Sequence, residues 1–478
     1  MSLPIRAVTR VTVELQGPCN IGTGDTTLDS DRPFVVDANG LPAIPGTTWA
    51  GLLRAAVRRR KGGDYAARWF GGERATDDPS ASRVRPTWGR VHNSDDRAVD
   101  GMLDDSELND NLLSYLAGGE IRDHVRIGHH GAVDEDGKFD RQVVPRGARF
   151  SFDIEIAAPA AQSEDVEALR DLLLSVLAGP KTRLGASTHS GFGAFDVVRA
   201  CGDIYDLQQD AGFDDYSAFP VDLSADVDAA ELQWTPESVD DADIAEIPIE
   251  LTPDTFFAVF RNVVDDSNTA PDMAPVTTRP VTWNRSLGSP ERTPNKYIPA
   301  TSLKGSLSHR VAFHSNRLLG NFAGDNTDPE DVTGENNPVI RRIFGYCHDS
   351  SNGDEADSED SGRMGTVLLE DAELPRGLRG THQMIHISND PFTGGVKDQV
   401  LFSEEVVEPA DKTIDVTLRI ESPGELREID CHALYLALED ITSGRQTIGG
   451  GQARGHGHFS GDFDWPAEQL AFDELEEL

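Results

Sequence analysis

The sequence predicts an α+β protein made of two ferredoxin-like domains in tandem, each with the βαββαβ order also seen in RRM domains, a thumb-like insertion and a Gly-rich loop. Three observations predict it. A loop–turn–helix stretch centred on IPGTTWAG (Ile44 to Gly51) returns as IPATSLKG (Ile298 to Gly305). Strand-like and helix-like periodicities follow one another in the same order on both sides of an acidic middle segment. Each half closes with a glycine-rich stretch, RLGASTHSGFGAF and IGGGQARGHGHF, that runs into a last strand. Landmarks that recur in one order read most simply as a duplicated domain.

In the first half, VTRVTVELQG alternates Val11, Val13 and Leu15 with polar residues, the pattern of a half-buried strand. An acidic loop holding Asp25, Asp29, Asp31 and Asp37 follows. Pro45-Gly46 turns the chain into a helix whose Trp49, Leu52, Leu53, Ala56 and Val57 share one face, and which ends in Arg58-Arg59-Arg60-Lys61. WFGG (Trp69 to Gly72) and a short strand in GRVHNSDD come next. Arg122 to Gly147, rich in Gly, His and charge between strand-like ends, predicts a protruding hairpin or thumb. ARFSFDIEIAAP gives the clearest alternation, SEDVEALRDLLLSVLAG a second helix stopped by Gly179-Pro180, and the Gly-rich loop the way into the final strand.

The same order returns after the acidic, weakly periodic stretch 201–245, which reads as a linker. Arg279-Pro280 is set against Arg32-Pro33, IFGY (Ile343 to Tyr346) against WFGG, and GTVLLEDAEL against GRVHNSDD. FSEEVVEP is set against FDRQVVP, TIDVTLRIES repeats the alternation, and Gly455-His-Gly-His-Phe459 stands over Gly191-Phe-Gly-Ala-Phe195. The domains are accordingly placed at 1–200 and 246–465, with an acidic tail at 466–478 expected to form a short helix. On this alignment Asp31 precedes the first Arg-Pro and Thr278 the second.

A formal net charge of −40, with arginine strongly preferred to lysine, fits a cytoplasmic protein of an extreme halophile, whose self-repelling surface is screened by molar salt. At such salt, affinity for nucleic acid rests less on counterion release and more on shape, stacking and hydrogen bonds. No run approaches the roughly eighteen apolar residues of a membrane span, and the N-terminal residues lack the apolar core of a signal peptide, so no membrane partner is expected. Cys19, Cys201, Cys347 and Cys431 form no CxxC pair, which argues against a thiolate zinc site. His129-His130, His382 with His386, and His456 with His458 are closely spaced but lack a third ligand.

The IPGTTWAG and IPATSLKG turns, the FG dipeptides, the thumb-like segments ending in VVP or VVEP and the Gly-rich loops resemble, in this order, the RAMP superfamily of CRISPR-associated proteins, in particular the backbone subunits of type III effector complexes. The resemblance implies that each half grips guide RNA and that complementary target RNA and other effector subunits are partners. It implies that the helix starts after Pro45 and Pro299 offer backbone N–H groups to phosphates, aided by Thr47, Thr48, Thr301, Ser302 and Lys304. Ala50 stands where the second half has Lys304, and Arg54, one turn on, is the expected substitute. Gly191, Gly193, Gly455 and Gly457 are expected to allow close approach of RNA, with Arg183 and Arg454 as phosphate ligands.

In target-cleaving members an aspartate before the IPG turn carries cleavage, and Asp31 holds that place. Its carboxylate is expected to hold Mg2+ or another divalent cation, or to help deprotonate a 2′-hydroxyl that attacks in line. Thr278 cannot act so; the second half is expected to bind without cutting, with Asp272 a weak substitute. Two alternatives accompany this expectation: a non-cleaving scaffold, and a repeat-transcript-processing endoribonuclease using His309 or His314.

Overall fold

Alternating apolar residues build the first strand, β1 (Ile5–Leu15), which is an inner strand of a sheet. The chain continues through β2 (Ala43–Ile44), α1 (Gly46–Lys61), α2 (Gly63–Phe70), β3 (Val84–Pro86) and β4 (Gly89–Val91). A hairpin of β5 (Glu120–Ile127) and β6 (Val133–Val143) stands apart from the sheet, and β7 (Arg149–Ala158), α3 (Ser163–Leu177) and β8 (Phe195–Asp206) complete the half. The strand order is β2-β4-β7-β1-β8, with β3 also on β7. The computed structural model describes residues 3–27, 30–72, 81–128, 131–237, 243–263, 270–322, 332–347, 362–378, 380–397 and 401–472.

The second half repeats the arrangement with β9 (Ile244–Pro253), β10 (Phe260–Asn262), β11 (Met273–Pro275), β12 (Asn295–Ile298), α4 (Ala300–Leu319) and α5 (Pro338–Phe344). Then come β13 (Val367–Leu369), β14 (Ala372–Glu373), β15 (Thr381–His386), β16 (Phe402–Val407), β17 (Ile414–Glu421), α6 (Glu428–Thr442) and β18 (Phe459–Phe463). Its central sheet runs β13-β17-β9-β18, the order β3-β7-β1-β8 of the first half, while β15 and β16 pair as the counterpart of the β5–β6 hairpin. In each half two helices cover one face. Trp49 of α1 stacks on Phe152 at 4.0 Å and meets Phe195 edge-on. In the second core Leu303, Leu307 and Val311 of α4 join Leu434, Leu438 and Ile441 of α6 over the sheet.

Three expectations change. β1 is buried on both faces rather than one: the segment 201–245, read as a linker, folds back over the sheet. There Arg10 pairs with Asp153 at 2.8 Å and donates to the carbonyls of Pro220, Asp222 and Ala225, and Cys201 bridges to Glu231. Burying an arginine is tolerable because its charge is paired and its other donors are used. β9, by contrast, alternates buried and exposed residues along its length, so only one of its faces is covered.

The counterpart of GTVLLEDAEL is also shifted: Val367 faces Ile420 as Val84 faces Ile156, and Ala372 faces Ile298 as Gly89 faces Ile44, so it matches SRVRPTWGRV rather than GRVHNSDD. Finally, the tail places Phe472 against Tyr435 and Trp465, and its remaining residues, 473–478, lie outside the described residues.

The halves meet head to tail. Arg122 of the thumb pairs with Asp371 at 2.5 Å, Arg183 with Glu370 at 2.7 Å and Arg146 with Glu373 at 2.8 Å. Ser190 forms a parallel bridge to Leu369. Asp371 uses its second oxygen to accept from the Ala300 N–H, so it also caps α4. Arg122 is only 9 % exposed, and removing its partner leaves a charge without compensation. Asp371→Ala is expected to cost about 3 kcal/mol or more, read as a lowered urea midpoint in molar KCl. Replacing Arg122 and Asp371 together with leucine is expected to recover part of that loss.

Candidate nucleic-acid interface

The thumb's sequence, alternating along two paired strands, decides which side chains share a face. Arg122 is opposite Arg141, and His124 opposite Phe139, so all four stand on one side of the hairpin. His124 stacks on Phe139 at 4.9 Å, and Arg32 lies over the same ring at 4.7 Å. Phe192, from the Gly-rich loop, receives Arg122 at 5.5 Å and Arg141 at 5.3 Å. In a protein of net charge −40 this gathers three guanidinium groups, an imidazole and two aromatic rings. The buried Nε atoms of Arg122 and Arg141 and Nε2 of His124 have no hydrogen-bond partner among the described residues. Polar atoms buried without a partner are costly.

Asp31 sits at the edge of this patch. It is exposed, its N–H donates to Asp140 Oδ1 at 2.9 Å, and its Oδ2 accepts the Asp140 N–H at 3.0 Å. The exchange fixes the acidic loop to β6 and leaves each carboxylate further lone pairs. Among the described residues no group of three or more potential ligands converges. The two carboxylates stand on either side of that exchange, one on the acidic loop and one on β6.

The other residues singled out in the sequence are divided among several environments. Thr47 is exposed and Thr48 half-buried in the first turn of α1, where the Gly46 backbone passes so close to Pro86 that a Cβ would lie 2.5 Å from its carbonyl oxygen. Arg54 is half-buried on the same helix. Thr301 and Ser302 are half-buried at the start of α4, where the Ala300 N–H is already taken by Asp371. Lys304 donates to the His189 carbonyl at 3.4 Å, across the contact between halves, and burial pulls its ammonium down to about 8. Arg183 pairs through Nη2 with Glu370, while its Nε and Nη1 are buried without a hydrogen-bond partner among the described residues.

Gly193 and Gly457 have left-handed backbones, and a Cβ there would strike the carbonyl oxygens of Leu184 and Ile448, so their close approach is to their own loop. Gly191 is enclosed by Ala300 and Asp371 of the second half, whereas Gly455 and Arg454 are exposed. His314 is buried with Nε2 2.6 Å from Asp440, His309 meets the Ile127 carbonyl, and His129-His130 lie outside the described residues.

The match of Thr278 to Asp31 is corrected by strand register. In the first half Gly22 bridges to Phe34 and the Val35 N–H donates to Ile21. In the second, Phe260 bridges to Pro275 and the Val276 N–H donates to Val259. Four residues before Val35 is Asp31; four before Val276 is Asp272. Thr278 is instead 8 % exposed, with its hydroxyl 2.9 Å from Glu120 of the first half. The Arg279-Pro280 pair leads into an extra hairpin, Val281–Asn284 with Leu287–Pro290, whose Trp283 donates to the Gly147 carbonyl. That insertion displaced the motif.

Sequence reasoning also missed Arg122, His124, Phe139 and Arg141 as a group. Their signal is the every-second-residue spacing within RDHVRI and FDRQVV, on strands whose pairing no local pattern announces.

Burial, with Arg141, Arg122 and Arg32 nearby, lowers the His124 imidazole to about 4 from 6.5. Between those values the unfolded chain binds a proton that the folded chain does not, so this residue makes stability rise with pH across that window and imposes its full penalty below about 4. His124→Gln is expected to flatten the rise, measured by thermal unfolding from pH 4 to 7 at constant salt.

No curated protein matches this sequence. Among solved structures, a chain of the cryo-EM structure of the type III-B Cmr-beta bound to cognate target RNA is similar at 15% identity and a TM-score of 0.29, over 42% of this chain and 61% of that chain. Among the described residues, no helix is long and apolar enough to cross a membrane. The RAMP superfamily model matches residues 12–196 and again 288–460, spanning most of both halves. On that double match the chain belongs to the RAMP superfamily of CRISPR-associated proteins, with the family's unit present in tandem.

Proposed function

We propose that this chain is a guide-RNA-binding backbone subunit of a type III CRISPR effector complex, and that its first half cleaves complementary target RNA through Asp31. Both halves are read as ferredoxin-like copies, on the shared order of their central strands. The observation that carries the RNA reading is the patch beside Asp31. Arginines with unmet buried donors and a half-buried aromatic ring suit phosphates and a stacked base, and they suit them in molar salt, where long-range attraction is screened.

In the cleavage step the target's 2′-oxygen attacks the adjacent phosphorus and the bond to the 5′-oxygen breaks, that oxygen taking a proton from water, giving a cyclic 2′,3′-phosphate and a 5′-hydroxyl. Asp31 takes the proton of the attacking hydroxyl, while Arg32 and Arg141 face the charge gathering on the phosphate oxygens. A divalent cation bound at Asp31 and Asp140, for which Mg2+ is the first choice, would supply Lewis-acid stabilisation of that charge. The Asp31–Asp140 exchange holds the carboxylate in place before RNA arrives.

Asp31→Ala in the assembled complex is expected to reduce cutting of complementary RNA at this site by about 100-fold or more, assayed with Mg2+ in molar KCl, with guide RNA retained. Unchanged cutting would remove Asp31 from the reaction. A wild-type complex that holds guide and target without cutting would leave the scaffold reading in its place.

A further inference from the structure

The inserted hairpin that displaced the Arg-Pro motif does not fold back on its own half. In the first half the same stretch of chain is a tight turn, in which the Asp37 N–H donates to the Leu41 carbonyl and Asp37 Oδ1 accepts the Leu41 N–H. In the second half, between Thr277-Thr278 and β12, the chain runs out instead through Val281–Asn284 and Leu287–Pro290 and lands on the first half. Val281 is 5 % exposed and belongs to the first half's hydrophobic core, with Trp283 packed against the same core. Gly288, opposite Trp283, leaves room for the indole, since a Cβ there would lie 2.5 Å from the ring.

The contacts of this segment fall on the two legs of the first thumb. At the start of β5, Glu120 accepts the Thr278 hydroxyl at 2.9 Å and the Arg279 N–H at 2.7 Å. The Tyr115 hydroxyl lies 2.7 Å from both Glu120 and the Arg279 carbonyl, and the Arg279 guanidinium covers the Tyr115 ring at 5.2 Å. Just past β6, the Val281 N–H donates to the Arg146 carbonyl at 2.8 Å and the Trp283 Nε1–H to the Gly147 carbonyl at 2.7 Å. Gly147 has a left-handed backbone, and a Cβ there would lie 1.9 Å from the Val281 carbonyl oxygen, so the close approach needs glycine. Arg149, at the start of β7, lies against the indole at 4.2 Å with its charge already paired to Glu14 and Asp96.

What the legs carry is the acidic loop. Asp140 and Asp31 each donate an N–H to the other's carboxylate. Two residues further along β6, the Gln142 N–H donates to the Arg32 carbonyl at 3.1 Å and Gln142 Oε1 accepts the Phe34 N–H at 3.1 Å. Asp31 and Arg32 therefore follow β6 wherever it goes. A two-stranded hairpin is only marginally stable by itself, so its direction is set where it is held, at the base where Glu120 pairs with Val143. The second half does the holding.

We infer that the segment 278–291 is an intramolecular clamp, with Thr278 and Trp283 as positioning residues. It fixes both legs of the first thumb and, through β6, the place of the Asp31 carboxylate, so that the site in the first half is completed by the second. The link to cleavage rests on the reading of Asp31 given above; the grip on the thumb does not. A misplacement of about 1 Å can cost about 100-fold in rate, so a loosened leg is felt in turnover before it is felt in affinity.

The test uses the full chain carrying Thr278→Val together with Trp283→Ala, and separately Trp283→Phe, which keeps a ring against Arg149 and removes the N–H to Gly147. Amide hydrogen exchange read by mass spectrometry should be about tenfold faster in β5, β6 and residues 31–34 of the double variant, the effect of about one lost hydrogen bond on a local opening, with β7 and β17 unchanged. In the assembled complex, kcat for complementary RNA cut at the Asp31 site should fall about 100-fold, with KM and retained guide RNA unchanged. Trp283→Phe should move both readouts the same way by less, and decides the question if the double variant does not fold. Unchanged exchange in β5 and β6 would overturn the clamp. Faster exchange with undiminished kcat would overturn the link from thumb to Asp31, as would a fall in kcat matched by loss of guide RNA. A wild-type complex that holds target without cutting would overturn the Asp31 reading, and the exchange result alone would then decide the clamp.

Discussion

Asp371 is the residue on which the two halves turn. One oxygen caps the first N–H of α4 and the other holds Arg122 of the opposite half's thumb, while Gly191 passes so close that a Cβ there would press on Ala300. A single carboxylate therefore finishes a helix and neutralises a buried arginine, and the glycine loop packs beside it. The helix start that could otherwise have received a phosphate is here satisfied from within the chain. This contact also leaves the halves unequal: the first Gly-rich loop is covered, and the second, with Gly455 and Arg454, is open.

That inequality runs through the chemistry. The first thumb face carries Arg122 and Arg141; the second has Met384 and Glu404 at the same register, where Arg122 is opposite Arg141 and Met384 opposite Glu404. The backbone frame is duplicated and its charges are not. What is common to both is an aspartate tied to the second strand of the thumb hairpin and an aromatic ring that meets an imidazole and a guanidinium.

Much of the scaffold was legible in local pattern. The alternation in TIDVTLRIES became β17 and that in ARFSFDIEIAAP became β7, and the helical faces of α1 and α3 are buried at Trp49, Leu53, Val57, Leu169 and Leu173. The candidate site was less legible. Asp31 is marked by its place before the turn, but its relation to Asp140 lies 109 residues away along the chain. Arg122 and Arg141 become neighbours only through hairpin pairing, and Arg183 and Lys304, taken for free cations in sequence, turn inward to the seam between the halves.

The sequence by itself determined the periodicities and the glycine turns, which depend on residues within a few positions of one another, and the duplication, which is read by setting such local patterns side by side. Only the tertiary structure decided which aspartate of the second half answers to Asp31. Arg279-Pro280 repeats the letters of Arg32-Pro33, yet it belongs to an inserted hairpin docked on the first half, and strand register passes the equivalence to Asp272. Register is set by pairing between distant strands and by what each face must bury, and a short identical motif carries no information about either.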